Sequence, residues 1–176
     1  GGSIDDFRTQ SRHKVVLSGT GEQIISFANP GSSYYTKLEV KNKTGLVKFN
    51  ELPVAGSITG DIVSNYDIKL YCPIFTLENQ KIKAPNVYIM SAGEIKLGEA
   101  SKIDGNLIHT EGNVIANGRS EITGDFCITS ADKESYGRGQ LQMEKEEGHI
   151  TVYGNFVIDT TVGHYTYLTD GILEIK

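Results

Sequence analysis

The chain has 176 residues, 38% of them hydrophobic, and a formal net charge of −5. This length and composition fit one folded domain and exclude a disordered linker, and the acidic balance argues against nucleic acid as a partner, because phosphate binding needs clustered basic residues. No apolar stretch approaches the roughly 20 residues that a membrane-spanning helix needs, so we expect no membrane insertion by this segment.

The first forty residues contain short apolar runs separated by turn residues. The runs lie at 14–17, 23–27 and 36–40, and Gly, Ser, Asn and Pro punctuate the gaps between them. Turn residues of this kind adopt positive or fixed φ values. The pattern predicts short strands joined by tight corners.

From residue 45 onwards, two interleaved patterns recur. In the two tightest repeats, the pattern Gly–x–apolar–x–apolar precedes the pattern apolar–x–Gly–Asp/Asn–apolar by twelve residues. Self-similarity with a period near twenty residues indicates a stacked, solenoid-like architecture. The first of these patterns begins at Gly45, Asp67 (in place of Gly), Gly93, Gly112, Gly139 and Gly171, and the second is centred on Gly60, Gly105, Gly124 and Gly154.

Residue usage supports strands throughout the chain. Ile and Val number 30, against 11 Leu and 7 Ala, and β-branched side chains pack well on a sheet but are crowded in a helix. We therefore expect an all-β fold with almost no α-helix. The strands predicted within the repeats span 95–97, 103–108, 114–116, 122–128, 141–143, 150–158 and 172–175, with loops inserted at 130–138 and 159–169.

These patterns predict a right-handed, single-stranded parallel β-helix (a β-solenoid) of about five to seven coils, forming one module over residues 1–176. Strands of successive coils stack about 4.8 Å apart, and alternate side chains face the core and the solvent. Along 122–129 we expect even-numbered residues to face inward and odd-numbered residues outward. The predicted core residues are Ile95, Leu97, Ile103, Leu107, Ile122, Phe126, Leu141, Val152, Phe156 and Ile158.

Parts of the chain resemble repeats of large surface proteins of Gram-positive bacteria. The similar stretches are 17–27, 30–33, 38–40 and the ending 168–176. The resemblance implies one module cut from a tandem array, with neighbouring modules of the same parent chain as partners. It also implies an extracellular or cell-surface location and a non-enzymatic structural or adhesive role. The shared motifs are strand and turn patterns, so no catalytic residue transfers.

The alternative is a carbohydrate-active module, because parallel β-helices include polysaccharide lyases and hydrolases. Such enzymes need clustered carboxylates for acid–base chemistry or for calcium, and the candidates are Asp61, Asp104 and Asp125. Equivalent positions hold Asn106 and Asn155, and exchange of Asp with Asn is typical of side chains that stabilise a corner. A groove with three or more carboxylates and an Arg or Lys would favour the enzyme.

The histidines and cysteines give no further signal for catalysis. His149 and His164 each follow a glycine but lack paired Asp residues, and we expect His13 and His109 at the surface or at strand ends. Two cysteines lack a zinc-ligand spacing, and we expect the thiol of Cys127 on the outer wall, without a disulfide to Cys72. We therefore predict no catalytic residue, no cofactor and no metal ion.

Tyrosines are the candidate contacts for a sugar. The chain has nine Tyr and no Trp, and an exposed aromatic ring can pack against a sugar ring while its hydroxyl group bonds to it. We predict possible carbohydrate contact at Tyr153, Tyr165 and Tyr167, with a surface polysaccharide or a host glycan as the partner.

Overall fold

The computed structural model describes residues 7–28, 33, 35–42, 47–49, 54–55, 58–65, 67–70, 74–129, 138–161 and 167–176. This part of the chain is all-β and contains no helix. In chain order its strands are β1 (Lys14–Leu17), β2 (Gln23–Ile25), β3 (Lys37–Val40), β4 (Val47–Phe49), β5 (Val54–Ala55), β6 (Ile58–Thr59), β7 (Ile62–Ser64), β8 (Ile68–Leu70), β9 (Ile74–Leu77), β10 (Lys81–Leu97), β11 (Ser101–Ala116), β12 (Arg119–Ile122), β13 (Phe126–Ile128), β14 (Arg138–Gln142), β15 (His149–Val152), β16 (Phe156–Ile158) and β17 (Ile172–Ile175).

The strands wind round three faces in a repeating order. Face A contains β2, β4, β7, β12, β15 and β17, face B contains β5, β8, β13 and β16, and face C contains β1, β3, β6, β9 and β14. The long strands β10 and β11 bend at two corners and contribute to all three faces. The ladders of the described strands are parallel, and their coils make about six turns. The predicted β-solenoid is thus confirmed, while its handedness stays a prediction.

Stacking aligns the inward side chains in columns. On face A, the column contains Ile62, Ile82, Ile103, Ile122 and Val152 in successive coils. All five side chains are buried. Burial of each such side chain contributes roughly 1.5–3 kcal/mol, so the column is a main source of stability.

Most of the predicted core is confirmed. Phe156 is only half-buried, and the prediction for Ile158 is wrong because this side chain is exposed. Both lie in β16, the last strand of the face B ladder, so no described strand stacks above them. Thr129 was expected to face outward but is buried, since the alternation ends at the corner after β13. The predicted core residues that are buried are Ile95, Leu97, Ile103, Leu107, Ile122, Phe126, Leu141 and Val152.

The two sequence patterns mark corners of the solenoid. The predicted strands 122–128 and 150–158 are each broken into two by the corner that contains Gly124 or Gly154. Conversely, 103–108 and 114–116 belong to the single bent strand β11. The copies of the Gly–x–apolar–x–apolar pattern lead into different faces: those at 93, 112 and 139 into face C, the copy at 171 into face A and the copy at 67 into face B. The pattern therefore reports a turn followed by a strand rather than one fixed position in the coil.

Candidate functional site

A column of Asp and Asn side chains follows the corner between faces A and B. Asn86 Nδ2 donates to Asp67 Oδ1 (2.8 Å), and Asn106 Nδ2 donates to Asn86 Oδ1 (3.0 Å). Asn106 Oδ1 accepts the Asp125 backbone N–H (2.8 Å), and Asp125 Oδ1 accepts both the backbone N–H and Nδ2 of Asn155 (2.7 and 3.1 Å). We call these five residues the corner ladder. Its bonds link each coil to the next, as the corner interpretation of Asp125 predicted.

Glycines make room for the corner ladder. A Cβ on Gly124 would collide with Asn106 Oδ1, and a Cβ on Gly154 would collide with Asp125 Oδ1. Gly105 has a positive φ of 146°, and a side chain there would meet the backbone of Ala84 in the coil below. The recurrence of Gly before Asp or Asn therefore has a steric cause.

The other two candidate carboxylates also serve neighbouring coils. Asp61 Oδ1 accepts the backbone N–H of Lys81 (2.7 Å). Asp104 lies near Lys81 and Lys83 (3.5 and 3.3 Å) and accepts the Thr123 hydroxyl (3.2 Å). Burial raises the pKa of Asp104, but the bonds from Lys83 and Thr123 and the two lysine charges outweigh it, so the pKa lies below its ordinary value. The described residues contain no cluster of three or more His, Cys, Asp or Glu that could hold a metal ion.

A groove of about 470 Å³ lies on the outward side of face A, across β11, β12, β15 and β17. We call it the face A groove. In its floor, Lys102 Nζ contacts Glu121 Oε2 (2.8 Å), and this hydrogen bond raises the pKa of Lys102. Glu121 is a register partner of both Lys102 and Thr151. The groove is therefore built from the outward residues of successive coils.

Glu174, the second carboxylate of the groove, has three polar partners. Lys176 Nζ and His149 Nε2 each lie 3.5 Å from it, and the Thr151 hydroxyl donates to it (3.3 Å). Burial raises the pKa of Glu174, but Lys176, His149 and Thr151 outweigh that effect and leave the pKa lowered. The lining of the groove thus contains two carboxylates, each with a cationic partner. An enzyme of this fold was expected to have three or more.

Two side chains of the groove remain available. Arg119 is exposed, its backbone N–H donates to Glu99 Oε2 (3.1 Å), and no described residue accepts a hydrogen bond from its guanidinium group. Tyr153 is 45% exposed, and its ring centroid lies 5.6 Å from Lys176 Nζ. Arg119 was not predicted as a site residue, because only the stacking register places it in the groove. The alternating polar residues of 119–123 and 149–153 were the sequence feature that could have indicated this outward surface.

Two of the predicted sugar contacts, Tyr153 and Tyr167, lie in the described residues and on different faces. Tyr153 directly follows β15 of face A, whereas Tyr167 is half-buried beside face C, where its carbonyl accepts the Met143 N–H (2.6 Å). Tyr165 lies outside the described residues. Of the two described tyrosines, Tyr153 lines the face A groove.

The histidines and cysteines have distinct surroundings. Of the two positions predicted for His109, the surface is wrong, because the ring is fully buried and its Nε2 donates to the carbonyls of Gly112 (2.8 Å) and Glu111 (3.1 Å). His109 lies within β11, beside Ile128 at the end of β13. Gly139 packs against this ring without space for a Cβ. Cys127 is half-buried between the buried side chains of Phe126 and Ile128, which confirms its predicted outward position. His164 and Cys72 lie outside the described residues.

No protein-family model, no curated protein and no solved structure matches the chain. Within the described residues, no helix is long and apolar enough to cross a membrane.

Proposed function

We propose that the chain is a non-enzymatic structural or adhesive module of a bacterial cell-surface or secreted protein, whose stacked coils supply length and rigidity. The observation that carries this proposal is the corner ladder. Its five side chains, one per coil, hydrogen-bond from coil to coil over the greater part of the solenoid. Such a ladder stabilises a stack and leaves few polar groups for chemistry, as expected of a spacer.

The carboxy-terminal end of the stack favours a neighbouring module as the partner. Ile158, Leu168 and Ile175 are 45%, 42% and 48% exposed, although Ile128, Met143 and Val152 directly below them are 0%, 3% and 0% exposed. One inward side chain on each face is therefore uncovered. An exposed apolar end with free strand edges invites another strand to pair with it.

The corner ladder specifies what would cover this end. Asn155 donates twice to Asp125, but no described residue donates to Asn155 Oδ1. In the coils below, the equivalent oxygens of Asn106 and Asp125 accept a backbone N–H from the next coil. A further parallel coil would continue the same bond, so we infer that the partner is another β-solenoid coil of the parent chain.

A protein with two copies of the chain in series tests the stacking. About six turns at about 4.8 Å each give about 29 Å per module, so small-angle X-ray scattering should show one rod of twice that length. Hydrogen exchange at 156–158 of the first copy should be slower than in the single module, while exchange at 126–128 stays unchanged. Two freely jointed bodies with unchanged exchange would overturn the proposal.

The alternative, cleavage of polysaccharide, has its own test. The single module is incubated with bacterial and plant polysaccharides, with and without calcium, while reducing ends and unsaturated products are measured. We expect no turnover. Turnover that disappears in Asp125→Asn, which keeps the ladder acceptor Oδ1, or in His149→Gln would replace the structural function with an enzymatic one.

A further inference from the structure

Beyond a structural role, we propose that the face A groove binds an acidic oligosaccharide, with a sugar carboxylate on Arg119 and a sugar ring against Tyr153. Both groups are exposed, and both belong to the outward side of face A. The ligand class follows from the chemistry of the groove's two available side chains and the distance between them.

The guanidinium group of Arg119 favours an anion as the ligand. The lining of the groove has three permanent cations, Lys102, Arg119 and Lys176, and two carboxylates, Glu121 and Glu174. The two carboxylates are paired with Lys102, Lys176 and His149, and Glu99, outside the lining, accepts the Arg119 backbone N–H rather than its guanidinium group, so the guanidinium of Arg119 is the cation of the lining left to meet an anion. A guanidinium group binds a carboxylate through two parallel hydrogen bonds.

Tyr153 supplies the second contact. Lys176 Nζ lies over one face of its ring, 5.6 Å from the centroid, and the side chain is 45% exposed and lines the groove. An aromatic ring offers the apolar faces of a sugar a flat surface, and its hydroxyl group remains available for a hydrogen bond. The remaining lining is rich in hydroxyl, imidazole and carboxylate groups, which match a ligand with many hydroxyl groups. A peptide would need apolar pockets for its anchoring side chains, and Tyr153 is the one large apolar group among the described lining residues.

The separation of the two groups selects an oligosaccharide. Arg119 is the register partner of His149, one coil away. Tyr153 lies four residues further along the chain from His149, which is about 13 Å in an extended strand. Backbone positions this far apart suit a short chain of sugars laid along the strand direction better than a single sugar ring.

The experiment measures binding of short oligogalacturonates to the intact chain by calorimetry and by NMR shift perturbation. The matched ligand is the same oligomer with methyl-esterified carboxylates, and a sialylated oligosaccharide tests a second source of the sugar carboxylate. The variants are Arg119→Gln, Arg119→Lys and Tyr153→Ala. The control is Arg138→Gln, which removes an exposed arginine from face C. Circular dichroism confirms that each variant is folded.

We expect Arg119→Gln to weaken binding of an acid oligomer about tenfold or more, because a charge-assisted bond is lost. The affinity of Arg119→Lys should lie between those of the wild type and Arg119→Gln. Tyr153→Ala should weaken binding about two- to tenfold, and Arg138→Gln should leave the affinity unchanged. The methyl-esterified oligomer should bind the wild type more weakly than the acid oligomer does. Arg119→Gln should bind the two oligomers equally, as a double-mutant cycle requires when the two altered groups are in contact. If the chain binds the galacturonate or the sialylated oligomer, the affinity for that oligomer should fall as salt is added.

Several results would overturn the proposal. These are equal binding of acid and ester oligomers, unchanged binding in Arg119→Gln, tighter binding of an acidic peptide than of any oligosaccharide, or no binding of either acid oligomer. None of these results bears on the two-copy scattering experiment, so the groove and the stacking function stand or fall separately.

Discussion

The middle coils and the last coil have the same construction but very different burial. Phe126 and Phe156 are register partners whose ring centroids lie 5.3 Å apart. Phe126 is fully buried, whereas Phe156 is half-buried. The two residues are identical and occupy equivalent positions, so the difference comes only from the coil that lies above one and not the other. In a solenoid, the place in the stack decides burial as much as the side chain does.

The amino-terminal coil shows a third arrangement. Gln23 occupies the inward column that holds Ile62 two coils later. Its Oε1 accepts from the Gly19 N–H (3.3 Å) and from Asn42 Nδ2 (3.1 Å). Phe7, Phe27 and Tyr35 pack together nearby, and burial raises the pKa of Tyr35 to about 12. This end therefore has a polar residue in an inward column and a cluster of three aromatic rings, and neither occurs among the described residues of the last coil.

The largest expected effect separates the two phenylalanines. Phe126→Ala should cost about 3–5 kcal/mol of unfolding free energy, because it leaves a cavity in a closed core. Phe156→Ala should cost about half of that or less, since the last coil can relax into the space. Urea denaturation of both variants measures the difference. Equal losses would show that the last coil is as tightly covered as the middle ones.

A smaller effect compares glycines of the middle and the amino-terminal coils. Gly105→Ala should cost about 2–4 kcal/mol, because φ is positive and the Cβ meets the Ala84 backbone. Gly21→Ala should change stability by less than about 1 kcal/mol, since nothing lies within contact distance of the added Cβ. Thermal unfolding monitored by circular dichroism gives both values. Similar losses at the two sites would contradict the steric account of the repeated glycine.

The corner ladder gives a third comparison. Asn106→Ala removes a donor to Asn86 and an acceptor from Asp125, and it should cost about 1–2 kcal/mol. Asn155→Ala should cost less than about 1 kcal/mol because Asn155 is exposed at the end of the ladder. Asn106→Asp keeps the acceptor for Asp125 but places a carboxylate oxygen against Asn86 Oδ1, so it should cost at least as much as Asn106→Ala. An Asn155→Ala loss that equals the Asn106→Ala loss would mean that position in the ladder does not matter.

Much of this fold was predictable because its signals are local. The alternation around Ile122 and Phe126 and the glycine before Asp125 follow from short-range sterics, and they gave the coil and its core correctly. Asn86 was missed because Pro85 stands where the pattern has glycine, and β10 has one extra residue at this corner relative to β11. The exposure of Ile158 was missed because the sequence does not tell which coil is last.

The face A groove was not predictable in the same way. Lys102, Glu121, Thr151 and Glu174 form one outward column, but the chain distance between neighbours in it ranges from 19 to 30 residues. The unequal spacing reflects insertions such as the turn at 144–147. Only the register brings these charges together, so single-sequence patterns gave Tyr153 but not Arg119.

The smallest expected effect is a pH dependence that distinguishes Asp104 in the middle coils from Glu174 at the end. Both carboxyls have lowered pKa values in the folded state, from ordinary values of 3.8 and 4.5. A lowered pKa means that the carboxylate stabilises the fold above its ordinary pKa, and that this contribution is lost as the pH falls through the folded value. The advantage of the wild type over Asp104→Asn in thermal unfolding should therefore persist at neutral pH and shrink below pH 3.8. For Glu174→Gln it should shrink below pH 4.5, and it should be more sensitive to salt because the end of the stack is more exposed. If the stability advantage of the wild type over either variant grew on acidification, the neighbouring lysines would not be stabilising the charged carboxylate.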